Sequence, residues 1–188
     1  MDATGVAVQE IELEYVSSVG VRESGALQSL WSVPFEGVQP ARRIPVFRGQ
    51  GNWCGWYWSA TCDGHVGFES WLERDRLMLL DFDPLVTGIA SQPFRLSWQG
   101  LEGNRLRHTP DFFARLVDGT GVVIDVRPDQ RIKDRDAVKF AVMHAACVSV
   151  GWRYLRVGEP DGVLMANVRW LAGYRHRRVT ARRSRTGW

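Results

Sequence analysis

The stretch HTPDFFARLVDGTGVVIDVRP, residues 108–128, decides how this chain is read. Residues Phe112 to Val117 and Val122 to Val126 are rich in aromatic and β-branched side chains, which suit a pleated, half-buried surface. Between them Asp118-Gly119-Thr120-Gly121 supplies a tight turn, so the pattern predicts a hairpin of two adjacent strands. Such a hairpin brings Pro110-Asp111 at the start of one strand near Asp125-Val126-Arg127 at the end of the other. Asp125 stands in an otherwise apolar run, where a carboxylate is costly to bury unless it is paired or bound to a metal. Asp111 has a plainer alternative, as an aspartate capping a strand end in a turn.

A third acid, Glu69, lies upstream in GFESWLERD. Periodicity predicts a helix over residues 68–82, with Phe68, Trp71, Leu72, Leu79 and Leu80 on its apolar side and Asp83-Pro84 as its end. Glu69 then falls in the first turn, where it can be aimed over a sheet edge. The competing reading puts Glu69, Glu73 and Arg76 on one face, with Glu73 and Arg76 ion-paired and Glu69 merely solvated. Two or three converging acids can hold Mg²⁺, or Mn²⁺ in its place, because hard cations prefer carboxylate and water oxygens. The order glutamate, Pro-Asp, acid-x-basic is the pattern of a metal-dependent DNA-cleaving core. Arg127 projects from the same strand face as Asp125 and can neutralise charge that develops on a phosphate. It cannot serve as a base, since a guanidinium stays protonated.

Around this centre the pattern is α/β. Residues 1–40 read as an N-terminal extension with one strand suggested by the alternation of Val6 to Val16, residues 41–175 as the main domain, and residues 176–188 as a basic tail. Trp53 to Cys62 predicts an aromatic strand, followed by a turn at Asp63-Gly64. Strands are expected at residues 86–91 and 94–98, a helix over 134–150 with Val138, Ala141, Val142, Ala145 and Ala146 on its apolar stripe, a strand at 152–157 and a helix over 163–174. At 188 residues the chain accommodates one domain with a proper core. Its 45% hydrophobic content includes no apolar run near the roughly 18 residues needed to cross a bilayer. A soluble, cytosolic protein without a membrane partner is the expectation, and three cysteines do not make a disulfide framework.

Charge is uneven. Residues 169–188 carry seven arginines and no acid, so with an overall net charge of +3 the remainder is net −4. A basic tail on a mildly acidic body suits nucleic acid, because each phosphate contact releases counterions. Arg175, Arg177, Arg178, Arg182, Arg183 and Arg185 are the candidate DNA contacts, and a solvated terminus is the plain alternative. Cys54, Cys62 and His65 lack the close cysteine pair and fourth ligand of a structural zinc site, so packing is the better reading for them. Trp53, Trp56, Tyr57 and Trp58 can stack on bases, although alternating aromatics on a strand more often cover a core. Neither a Ser-His-Asp arrangement nor a phosphate-binding glycine loop nor a dinucleotide fingerprint is present.

The segments FESWLERDRLMLLDFDPLVTGIASQPFRL, HTPDFFARL, VVIDVRP and GWRYLRV resemble the TnsA-type endonuclease subunit of heteromeric transposases. The likeness spans residues 65–157, about half the chain. It implies a restriction-endonuclease-like core, a central mixed β-sheet flanked by helices, and a Mg²⁺ site built from Glu69, Asp111 and Asp125 with Arg127 beside it. Arg127 stands where that family usually has lysine. The resemblance further implies hydrolysis of phosphodiester bonds at the 5′ ends of a mobile element, with DNA, a DDE-type transposase and an ATPase regulator as partners. Two alternatives stand beside it: a catalytically weak DNA-binding adaptor of the same fold, and a stand-alone restriction or repair nuclease.

Overall fold

In the computed structural model, which describes residues 11–42, 53–100, 102–128 and 134–176, the chain begins with β1 (Glu12–Val16), β2 (Arg22–Ala26), the short α1 (Leu27–Leu30) and a 3₁₀ turn at Phe35–Gly37. A hairpin of β3 (Gly55–Ser59) and β4 (Gly64–Phe68) leads into α2 (Trp71–Phe82), then β5 (Val86–Ser91), β6 (Phe94–Gln99) and β7 (Arg105–His108). β8 (Phe112–Leu116) and β9 (Gly121–Val126) are followed by α3 (Asp134–Ser149), β10 (Arg153–Val157), α4 (Gly162–Ala172) and a 3₁₀ turn at Gly173–Arg175. The fold is mixed α/β.

The expected hairpin is present, with Phe113 opposite Val123 and Ala114 opposite Val122. Its turn is set by Gly119, whose φ of +85° strains any residue with a Cβ, and by the Asp118 carboxylate, which accepts from Thr120 N at 2.9 Å. β8 and β9 are the inner strands of a mixed sheet in the order β10-β9-β8-β5, in which β10 runs parallel to β9 and the other pairs are antiparallel. A second sheet, β2-β1-β6-β7, is antiparallel throughout.

Every residue of β9 is buried, because both faces of the mixed sheet are covered. Val122, Ile124 and Val126 pack with Phe112, Ala114 and Leu77 of α2, whereas Val123 packs with Phe113, with Val142, Met143, Ala146 and Cys147 of α3, and with the second sheet. The α3 stripe is therefore turned by one residue from the expected one, and Val138 stays 53% exposed.

Residues 11–40 are not an appendage. Leu13 and Tyr15 of β1 are buried against β6, and the fully buried Phe35 ring meets Tyr15, Phe94, Phe113 and Trp152 at centroid distances of 4.9 to 5.7 Å. The boundary expected at residue 40 thus falls inside a shared core. Asp81 at the end of α2 anchors the β3–β4 hairpin: its carboxylate accepts from Tyr57 OH, Ser59 Oγ and Thr61 N at 3.0, 2.6 and 2.8 Å.

The aromatic strand is split in its use. Tyr57 packs inward, while Trp53 and Trp56 remain 68% and 62% exposed, so these two do not cover the core. Cys62 Sγ lies 3.4 Å from Ile89 O, and the His65 ring packs edge-on against Trp58. No helix among the described residues is long and apolar enough to cross a membrane.

Candidate active site

Asp111 sits immediately before β8, and its backbone is pinned from both sides. Its N–H donates to Ile124 O at 3.1 Å, and its carbonyl accepts from Gln92 N at 2.8 Å. Its side chain reaches across the hairpin, where Oδ2 accepts from Val126 N at 2.7 Å. The aspartate is thereby fixed at the carboxyl end of β9, beside Asp125 and Arg127. Desolvation in these packed surroundings is the main cause that pushes the Asp111 carboxyl well above the usual carboxylate range. Repulsion from Glu73 and then Asp125 adds to it, against the opposing pull of the Val126 N–H and Arg127.

Glu73 is the glutamate whose charge acts on Asp111. The helix expected from residue 68 begins at Trp71, because Ser70 is its N-cap and accepts from Glu73 N at 3.2 Å. Glu73 in turn accepts from Ser70 Oγ at 3.0 Å and from Glu69 N at 2.7 Å, a reciprocal cap of the S-x-x-E kind. Burial raises the Glu73 carboxyl first; these hydrogen bonds lower it, the charge of Glu69 raises it, and Arg127 lowers it.

Glu69 belongs to the connection between β4 and α2, not to a helical turn. There its carboxylate is gripped bidentately by Arg42, with Nη1–Oε1 at 2.7 Å and Nη2–Oε2 at 2.6 Å. Arg76, the alternative partner of Glu73, donates from Nε to Gly158 O at 2.8 Å.

Asp125 has found partners. Its residue is 2% exposed, and its oxygens lie 2.8 and 2.9 Å from His108 Nε2, while Tyr154 OH donates to Oδ2 at 2.6 Å. Of the two ways to make a buried carboxylate tolerable, pairing is visibly in use. Desolvation, followed by the charge of Asp125 and its hydrogen bond, drives the Tyr154 hydroxyl upward, so it remains a donor. His108 and Tyr154 were not singled out in the sequence. His108 opens the decisive stretch, but nothing in its spacing says that β7 belongs to the other sheet.

The structure therefore places Asp111, Asp125 and Arg127 at one strand end, with Glu73 acting on Asp111 through its charge and with Glu69, gripped by Arg42, beside Glu73. The chain matches no protein-family model and no curated protein. Whatever the site does must be argued from its own donors.

Those donors suit a hard divalent cation in kind. Asp111 and Glu73 are carboxylates from different elements whose ionisation is disfavoured chiefly by burial, with the charges of Glu73 and Asp125 adding to it at Asp111 and the charge of Glu69 at Glu73, and a bound cation would offset that penalty. As the side chains stand, no group of three or more His, Cys, Asp or Glu among the described residues is set to hold a metal ion. Of the candidate phosphate contacts, Arg175 is engaged within the protein, 3.6 Å from Asp81 and stacked on Phe82 with its guanidinium 4.5 Å from the ring centroid. Arg177, Arg178, Arg182, Arg183 and Arg185 lie outside the described residues.

Proposed function

We propose that the protein is a divalent-metal-dependent DNA endonuclease with a restriction-endonuclease-like core, akin to the TnsA-type subunit that cleaves the 5′ ends of a mobile element. The observation that carries this reading is the fixing of Asp111 at the carboxyl end of β9, where its Oδ2 accepts from Val126 N at 2.7 Å beside Asp125 and Arg127, while burial and the charge of Glu73 push its carboxyl well above the usual range. Asp111 and Glu73 would hold Mg²⁺ or Mn²⁺, with Asp125 supporting them from beneath. When bound, the ion polarises the scissile phosphate and lowers the pKa of a coordinated water. Arg127 carries a fixed positive charge at the same strand end and would offset charge building on the phosphate oxygens. Activity that depends on a DDE-type transposase and an ATPase regulator belongs to this proposal, as does DNA contact through the arginines of residues 177–185. The test is strand cleavage with Mg²⁺ or Mn²⁺, with candidate partner proteins added, comparing the parent with Asp111→Ala. Loss of cleavage in a folded variant supports the site, and cleavage at the parental rate overturns it.

A second reading is favoured by the His108–Asp125–Tyr154 hydrogen bonds and by arginine at position 127. With Asp125 occupied by protein partners, the same fold would serve as a DNA-binding adaptor. Its signature is binding that weakens steeply with salt and is indifferent to Mg²⁺ and to Asp111→Ala.

A further inference from the structure

Trp71 opens α2 two residues ahead of Glu73, and it does not join the apolar side of the helix: 47% of it is exposed. The guanidinium of Arg74 lies over its ring, 4.0 Å from the centroid. Trp53, 68% exposed, leans on the same ring at a centroid distance of 5.9 Å and an interplanar angle of 34°. Cation, inner indole and outer indole thus form one cluster rising from the first turn of the helix. An indole is the largest apolar surface a residue can bury, so two leaning on each other in water carry a solvation cost that a ligand would relieve.

We propose that Trp53, Trp71 and Arg74 form a stacking platform for an unpaired nucleobase of the DNA strand addressed by the candidate site; this rests on the DNA reading of that site, though not on catalysis. Three features select a nucleobase. The open surface is a flat π-system backed by a cation, which suits the face of a heteroaromatic ring. The platform stands at the same N-terminal end of α2 as Glu73, though on a different side of the helix, so a strand that runs past the acids and around this helix end would meet it. Arg127, exposed at the adjoining strand end, supplies positive charge for the intervening backbone. The base must be unpaired, because the faces of bases within a duplex are already covered by their neighbours. The expected substrate is DNA frayed, gapped or locally unstacked beside the cut, with little preference for which base is displaced.

The test is a binding titration of the full chain without divalent metal, using two oligonucleotide duplexes that differ only in whether one 2-aminopurine is paired or bulged out. The parent should bind the bulged duplex more tightly and change its 2-aminopurine fluorescence. Trp53→Ala should reduce that preference by roughly 5- to 100-fold, the span that one base–aromatic stack is worth, while Trp53→Phe retains most of it. Equal binding of the two duplexes by the parent overturns the platform, as does a Trp53→Ala variant that keeps the preference or a Trp53→Phe variant that loses it equally. Absence of binding to either duplex overturns the platform together with the DNA reading. Binding preference without metal-dependent cleavage leaves the platform standing and removes only the nuclease.

Discussion

His108 on β7 and Asp125 on β9 join the two sheets, with one imidazole nitrogen set 2.8 and 2.9 Å from the two oxygens of a buried carboxylate. Removing the imidazole would leave that carboxylate with Tyr154 as its side-chain hydrogen-bond partner among the described residues. His108→Ala is expected to cost about 3 kcal/mol, the scale for stripping one partner from a buried pair, and Tyr154→Phe about 1–3 kcal/mol. Urea denaturation reads both. A loss below about 0.5 kcal/mol for His108→Ala, typical of neutral surface changes, would mean that Asp125 does not depend on it.

The two raised carboxyls give stability a definite slope with pH. Asp111 and Glu73 take up protons more readily in the folded chain than in the unfolded one. Their contribution is whole below the ordinary carboxylate range and is lost as pH rises through the elevated values. Asp111→Asn should therefore gain stability relative to the parent as pH is raised from 4 towards 8. Mg²⁺ should stabilise the parent more at the upper end of that range, because it competes with protons for the same oxygens. Parallel melting curves for parent and variant across the range would contradict the assignment.

The two glutamates can be told apart by substitution. Glu73→Gln should lower divalent-dependent cleavage by at least about 10²-fold, whereas Glu69→Gln, which loosens Arg42, should have a much smaller effect. Glu73→Gln keeps the size and the capping oxygen, so lost activity would not simply report a lost helix start. Equal losses in the two variants would return Glu69 to the site.

Arg127 is tested by its own pair of substitutions. Arg127→Lys should retain cleavage, and Arg127→Ala should lose about 10²-fold or more. An alanine variant as active as the parent would show that this charge has no part in the reaction.

Gly121, at the start of β9, has no room for a side chain: a Cβ there would come within 2.8 Å of Trp152 Cδ1 and 2.9 Å of the Phe113 ring. Gly121→Ala should destabilise by about 1–3 kcal/mol through overpacking, read as a lower urea midpoint with an unchanged m-value. A neutral result would indicate that the aromatic cluster can shift.

The hairpin, α3, β10 and α4 were legible because each is written in a local code of turn residues, alternation or periodicity. The start of α2 was also written locally, as Ser70-x-x-Glu73, but apolar periodicity alone extends the helix to Phe68 and so puts Glu69 in a helical turn it does not occupy. Trp71 went astray for the same reason, since being apolar at a helical spacing does not tell which face a neighbour will cover. Residues 11–40 were illegible for a different cause. Their core role depends on β1 pairing with β6 and on Phe35 meeting Phe94 and Trp152, contacts that no local window contains. His108 and Tyr154 reach Asp125 from two strands that local patterning cannot align.

The pairing of β1 with β6 also has a kinetic side. Glu12 lies opposite Ser97, so the partner of the first described strand is made about 85 residues later. At roughly 5–20 residues per second of synthesis, β1 waits on the order of 4–17 s for that strand to be made. During that interval Leu13 and Tyr15 lack their β6 partners and have the β2 hairpin, Leu27 and Phe35 to pack against, a surface of marginal size for independent stability. The nascent chain is thus most exposed to mispairing before Phe94–Gln99 has left the ribosome, and slow, late closure of the antiparallel sheet is the expected rate-limiting event in refolding.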